Sequence, residues 1–338
     1  MRRKVTAAQV AGALVGLLVV VGIVLYLVPS NDYILLPDRA HPVAPLVRVQ
    51  GAHPAKGDGA IYFVDVFERR ASMFESLFPF IHSGATVIPA DLIVPPGSND
   101  QQARRADLRE MTNSQRVAAA VALRRLGYHV VAIPDGVIVN AIETGSNAMG
   151  KLQPTDVIVS VDGKKTATIA ALEKALARFR PGASVTLGVQ RGAQKLSFSV
   201  KTIKDPFDAN RAIIGFNPDQ AAEIKLPIRV QIDAGNVGGP SAGLAFALQV
   251  MEALGRKVDH GYRVAATGEM KLDGSVAAIG GVKQKTFGAR EAHADVFLVP
   301  AAGDNAADAR RYAHGLRIIA VKTFPQALHA LATLPPKR

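Results

Sequence analysis

Gly238-Gly239-Pro240-Ser241-Ala242-Gly243, followed by the apolar run Leu244-Ala245-Phe246-Ala247-Leu248, decides how this chain is read. The two glycines permit tight backbone geometry and close approach of another segment. Pro240 presets a helical φ, which places Ser241 at the N-terminus of a predicted helix. Free N–H groups and the helix dipole favour negative charge at such a point. Charge of that sign develops on a carbonyl oxygen attacked by a serine. The turn from Gly239 through Pro240 and Ala242 therefore offers a nucleophile and oxyanion stabilisation together. Taken alone, a serine here also suits a plain helix N-cap.

A second segment changes the balance. Ala266-Thr267-Gly268-Glu269-Met270 is followed by Leu272-Asp273-Gly274 and then by Ile279-Gly280-Gly281-Val282-Lys283-Gln284-Lys285. A serine nucleophile needs a base, and no histidine is suitably placed near these motifs. Lysine can serve only when neutral. At its ordinary pKa about one lysine in 2,500 is neutral at pH 7, and lowering it by about 3 units costs roughly 4 kcal/mol. Desolvation in an apolar pocket can supply that shift, and Ile279, Val282 and Phe287 offer one. Taken singly, Lys283 and Lys285 also read as ordinary helix-surface lysines.

Together these segments resemble the proteolytic domain of Lon proteases. Gly239-Pro240-Ser241-Ala242-Gly243 matches the nucleophile motif, Thr267-Gly268-Glu269 a strand-end motif, and Gly280-Gly281-Val282-Lys283-Gln284-Lys285 the segment whose second lysine is the base. The resemblance covers about residues 205–338. It implies Ser241 as nucleophile, Lys285 rather than Lys283 as base, and Thr267 as a hydrogen-bond partner of that lysine. Many Lon proteases carry Asp two residues before the proline, where this chain has Gly238.

Upstream, Val137-Ile138-Val139, Leu152-Gln153-Pro154-Thr155-Asp156-Val157-Ile158 and Val161-Asp162-Gly163-Lys164 resemble bacterial PDZ domains, with Thr155 where many relatives carry Gly. The predicted elements are strands over 136–141 and 156–161, a helix over 169–179 and a hairpin over 184–200. PDZ domains take an extended peptide as an added strand. The resemblance implies a carboxylate-cradling loop near Gly127-Tyr128-His129-Val130 and a groove along the 169–179 helix. A PDZ that merely packs as a spacer is the plainer reading.

At the N-terminus, Val10–Val28 is uncharged and almost wholly apolar, about 28 Å long as a helix. Arg2, Arg3 and Lys4 precede it and the first charge after it is Asp32, so the positive-inside rule keeps the N-terminus cytoplasmic and exports the rest. The rival is a cleaved signal peptide, whose apolar core would be shorter, and no A-x-A site follows Leu27-Val28-Pro29-Ser30. Residues 31–126 are less legible: a strand near Ala60–Val66, a loop over 95–100, and a helix from about Gln101 to Leu126 stopped by Gly127.

Composition excludes several classes. With no cysteine among 338 residues, disulfides, thiolate metal sites and cysteine nucleophiles are absent. The net charge of +12 comes from scattered basic pairs, not from a tract, which disfavours nucleic acid and suits anionic lipid headgroups. No G-x-x-x-x-G-K-[ST] motif and no H-E-x-x-H cluster is present, so neither an ATPase module, a metal site nor any other cofactor is expected.

The fold class expected is α/β (α+β) multidomain. Residues 1–30 form a cytoplasmic N-terminus and transmembrane helix, and 31–126 an extracytoplasmic region packing on the protease. A PDZ domain follows over 127–204, and a C-terminal Lon-type proteolytic domain over 205–338. That arrangement resembles the PDZ-containing Lon-like membrane proteases of bacteria, the YlbL type. It implies an ATP-independent endopeptidase outside the cytoplasmic membrane, acting on protein or peptide substrates. A homo-oligomeric ring is implied by the family alone. A catalytically silent PDZ scaffold is the alternative, and a membrane-bound chaperone or adaptor a third reading.

Overall fold

The computed structural model describes residues 6–54, 57–94 and 98–337; the basic flank Arg2-Arg3-Lys4 and the Pro95–Gly97 part of the predicted loop lie outside them. The chain enters on α1 (Ala7–Leu27), closed at its start by a reciprocal capping box between Thr6 and Gln9. Its 21 residues reach about 32 Å, enough to cross a hydrocarbon core. No residue of α1 is buried, and among the described residues only its end meets the rest of the protein, at α2 and β4.

Strand β1 (Pro29–Pro37) leaves α1 directly, followed by β2 (Val47–Val49), β3 (Ala60–Phe63), β4 (Val66–Ser72), the short helix α2 (Met73–Leu77) and β5 (Thr86–Pro89). β1 is the middle strand of an antiparallel sheet ordered β4-β1-β5. The long helix α3 (Asp100–Arg125) starts on an Asn99–Gln102 capping box. Val117 through Leu123 are all buried, and alanines among them let its backbone approach a second helix closely. Gly127, at φ +87°, ends it in a Schellman turn, with Tyr128 N donating to Leu123 O and Gly127 N to Arg124 O.

The PDZ region is built from β6 (Val131–Ile142), β7 (Val157–Val161), α4 (Ile169–Leu176), β8 (Ser184–Arg191) and β9 (Gln194–Lys201). A further strand, β10 (Phe216–Lys225), closes its sheet in the order β9-β8-β7-β6-β10. The region has its own core around Val137, Val139, Leu152, Ile158, Leu172 and Leu187. The fully buried Asp156 is neutralised by a forked pair from Arg191, both bonds 2.7 Å. Thr155 adopts φ +70°, the conformation that glycine takes without cost, which explains the glycine of related sequences. Arg109 of α3 binds the Thr155 hydroxyl at 2.5 Å. In the predicted cradle Gly127–Val130, the Gly127 and Tyr128 amides bond the end of α3 and the Val130 side chain packs into the main core.

After β10 come β11 (Val230–Ile232), α5 (Gly243–Ala253), β12 (Arg263–Ala266), β13 (Glu269–Met270), α6 (Val282–Glu291), β14 (Val296–Pro300), α7 (Asn305–Arg311), β15 (Arg317–Val321) and α8 (Phe324–Ala332). β3, β12, β14 and β15 lie parallel in one sheet. β3 precedes the PDZ region and β12 follows it, yet the two pair directly, Ile61 with Val264 and Phe63 with Ala266. One core joins Ile61, Phe63, Val117 and Leu123 to Phe246 and Leu298. Residues ahead of the PDZ region are thus an integral layer of the C-terminal fold, and the PDZ region is an insertion between its halves.

Candidate active site

Ser241 sits in the turn between β11 and α5. The helix begins at Gly243, its N-cap is Ala242, and that cap makes no side-chain hydrogen bond. The serine hydroxyl is therefore not spent on capping. It accepts a hydrogen bond of 2.7 Å from Nζ of Lys285, which comes from the first turn of α6. Gly281, in the left-handed conformation at φ +68°, is the N-cap of that helix; a β-carbon there would meet Val66 at 2.6 Å. The glycine lets α6 start tight against β4, and the lysine reaches inward from there.

Lys285 is 4% exposed, and burial pulls its pKa down to about 8, opposed by the carboxylate of Asp65. At that value about a tenth of the lysine is neutral at pH 7, roughly two hundred times the ordinary fraction. Val282 and Ile279 belong to the apolar cluster on this flank, as expected. Phe287 instead packs its ring on Tyr312, with centroids 6.0 Å apart. Lys283, two positions earlier, leaves in another direction and donates to Ala85 O at 2.6 Å, tying α6 to the residue just before β5. The two lysines are separated by their contacts as well as by their motif.

The backbone around Ser241 is held from both sides. Gly268 N and the Thr267 hydroxyl both donate to Ser241 O, at 2.7 and 3.2 Å. Thr267 thus grips the serine's own carbonyl, where its predicted partner was the lysine, whose amine bonds the Ser241 hydroxyl instead. From α3, Asp107 O accepts from Gly239 N at 2.9 Å and Ser114 Oγ donates to Pro240 O at 2.9 Å. Gly239 takes φ +78° to make this turn. Among the described residues the N–H groups of Ser241 and Ala242 have no acceptor, and Ser241 lines the cleft while Ala242 is buried behind it. Ser114 and Asp107 had no local signature, being more than a hundred positions from the turn they support.

The dyad opens into a cleft of about 1080 Å³ walled by β1, β4, α3 and the Ala278–Gly281 turn, with Tyr33, Val66, Asp107 and Ile279 among its lining. Asp65 and Asp107 both face it, and burial raises the pKa of each carboxyl. Asp38, His41 and Asp65 bring three potential ligand atoms within 4.8 Å of one another. This is one fewer than a closed four-ligand zinc site requires. The His41 imidazole lies 3.5 Å from Asp38 and 3.7 Å from Asp65.

Residues 199–333 match the Lon protease (S16) C-terminal proteolytic domain, and residues 124–202 match a PDZ domain. Lon protease 2 of Bacillus subtilis is 36% identical over 124 residues, covering 36% of this chain and 21% of that protein. Lon protease 1 of Sorangium cellulosum is 38% identical over 112 residues, covering 30% of this chain and 13% of that one. The PDZ domain of an SdrC-like protein from Listeria monocytogenes covers 25% of this chain and 87% of its own length, at 20% identity and a TM-score of 0.23. The chain spans about a fifth or less of the curated relatives' length. It carries a Lon-type serine-peptidase domain with a PDZ domain beside it, and with its apolar N-terminal helix it fits a PDZ-containing, membrane-anchored Lon-like protease.

Proposed function

We propose that the chain is a serine endopeptidase working without ATP, with Ser241 as nucleophile and Lys285 as its base. The observation that supports this most is the 2.7 Å approach of a buried lysine amine to a serine hydroxyl unused in capping. Neutral Lys285 takes the Ser241 proton as Oγ bonds to the scissile carbonyl carbon. The carbonyl oxygen, now negative, accepts from the free Ser241 and Ala242 amides. Collapse breaks the C–N bond, and the lysine passes its proton to the departing amine. Water then attacks the acyl ester by the same proton route in reverse. A phosphonate that esterifies active serines should mark Ser241 in the wild type and leave Lys285→Ala unmarked; equal marking of both would remove the lysine from the mechanism.

Substrates are unfolded or flexible segments, since the described residues include no module to unfold them. The N-terminal apolar helix is the anchor, with its basic flank cytoplasmic and both domains outside. An extended peptide would add to β10, the edge strand of the PDZ sheet, beside α4. The same strand carries Asp219, which binds Lys271 at 2.6 Å, and Lys271 binds Glu269 at 2.7 Å. Glu269 adjoins Gly268, whose amide holds Ser241 O, so a peptide on β10 is well placed to regulate the dyad as well as to be captured. A homo-oligomer fits the same reading.

A further inference from the structure

Beyond the end of α1 the surface carries a run of apolar side chains with nothing over them. Leu77 is 58% and Phe80 is 80% exposed, and Phe78 and Ile81 are also exposed. Phe74, Phe78 and Phe80 form one aromatic group, with successive ring centroids 5.0 and 6.0 Å apart. Single exposed apolar residues need no explanation, but a contiguous group marks a contact surface. Its position is fixed by hydrogen bonds to the exit of α1: Met73 N donates to Val28 O and Ser76 Oγ to Ser30 Oγ, both at 2.8 Å. The segment is also stiff, because buried Glu75 binds Ser72, Arg69 and His82 at once.

We propose that residues 73–81 seat in the headgroup layer of the bilayer that α1 crosses, with Leu77, Phe78 and Phe80 as interfacial anchors. The proposal rests on α1 being a retained membrane span, and goes beyond it by adding a second contact. Continuity with α1 identifies the occupant: a surface hydrogen-bonded to the last residues of a membrane helix already stands at the interface, at high effective concentration. Tyr26 in the last turn of α1 is an aromatic suited to the same depth. Two contacts prevent the protease from swivelling on α1. β1 then leads from Pro29 through an irregularity before Tyr33 to the cleft wall, and the stretch from Val28 to Leu35 spans at most about 23 Å. The cleft is held close to the membrane surface, which favours extended segments of membrane proteins just outside the bilayer as substrates.

The chain contains no tryptophan, so a single introduced one reports its own surroundings. Full-length Phe80→Trp, Leu17→Trp and Phe207→Trp are each reconstituted in phosphatidylcholine–phosphatidylglycerol vesicles. Phosphatidylcholine brominated near the headgroup or near the chain ends serves as quencher. Leu17 lies mid-way along α1, and Phe207, 99% exposed, lies far from it in the chain. Phe80→Trp is expected to emit at short wavelength and lose most of its emission to the shallow quencher. Leu17→Trp is expected to respond to the deep one and Phe207→Trp to neither. If Leu17→Trp is quenched while Phe80→Trp behaves as Phe207→Trp does, the seat is overturned and the anchor stands. If Leu17→Trp is not quenched, the anchor fails and the seat with it. A short-wavelength Phe80→Trp emission that no bromolipid quenches would assign the patch to a protein partner and overturn the proposal.

Discussion

Gly238 and Asp107 compete for the same space: a β-carbon on Gly238 would stand 2.7 Å from Cβ of Asp107. The carboxylate that many Lon sequences carry at the glycine's position has no room here, and a carboxyl from α3 faces the cleft instead. Gly238→Asp should therefore overpack the nucleophile turn by about 1–3 kcal/mol and depress peptidase activity. Gly238→Asp combined with Asp107→Gly should recover part of both losses. Thermal unfolding and peptide turnover on the single and double variants check this.

Lys285 acts only when neutral, and its pKa is lowered to about 8, so kcat/KM should rise with pH and level off above that value. Asp65 raises the lysine's pKa, so Asp65→Asn should move the midpoint to lower pH. Lys283→Ala should leave it in place. A pH–rate profile of each variant is the measurement.

The same shift has a stability consequence. The unfolded chain holds the Lys285 proton up to its ordinary pKa near 10.5, while the folded chain releases it near 8. The unfolded state thus binds more protons between those values, and folding stability attributable to this residue rises with pH across that window. Lys285→Met removes the buried charge and should stabilise the inactive protein by roughly 1–3 kcal/mol at pH 7, read by denaturant unfolding.

Thr267 holds the Ser241 carbonyl, and the lysine amine bonds the Ser241 hydroxyl and not Thr267. Thr267→Val should lower kcat by about tenfold, the worth of one hydrogen bond that positions the nucleophile. The pH midpoint should be unchanged, which a partner of the lysine would not allow.

Local chemistry made the dyad legible. The serine turn and the lysine segment each carry their glycines, proline and small residues in short runs, so their backbone requirements are written in consecutive positions. The same holds for the PDZ strands, for α1 and for the start of α3 near Gln101. What supports the dyad was not legible, because it comes from afar. Asp107 and Ser114 brace the turn from α3, and β3 pairs with β12 across the whole inserted PDZ region. No periodicity in 31–126 announces a parallel partner two hundred residues later. Nor did the sequence show that Gly127 serves the α3 C-cap and that Val130 follows it into the protease core.

The central claim is that Ser241 and Lys285 form a working dyad, and degradation of unfolded casein by the full-length chain in detergent micelles, without ATP, tests it most directly. Wild type and Lys283→Ala should cut, while Ser241→Ala and Lys285→Ala should not. Cleavage by Ser241→Ala at the wild-type rate would contradict the account.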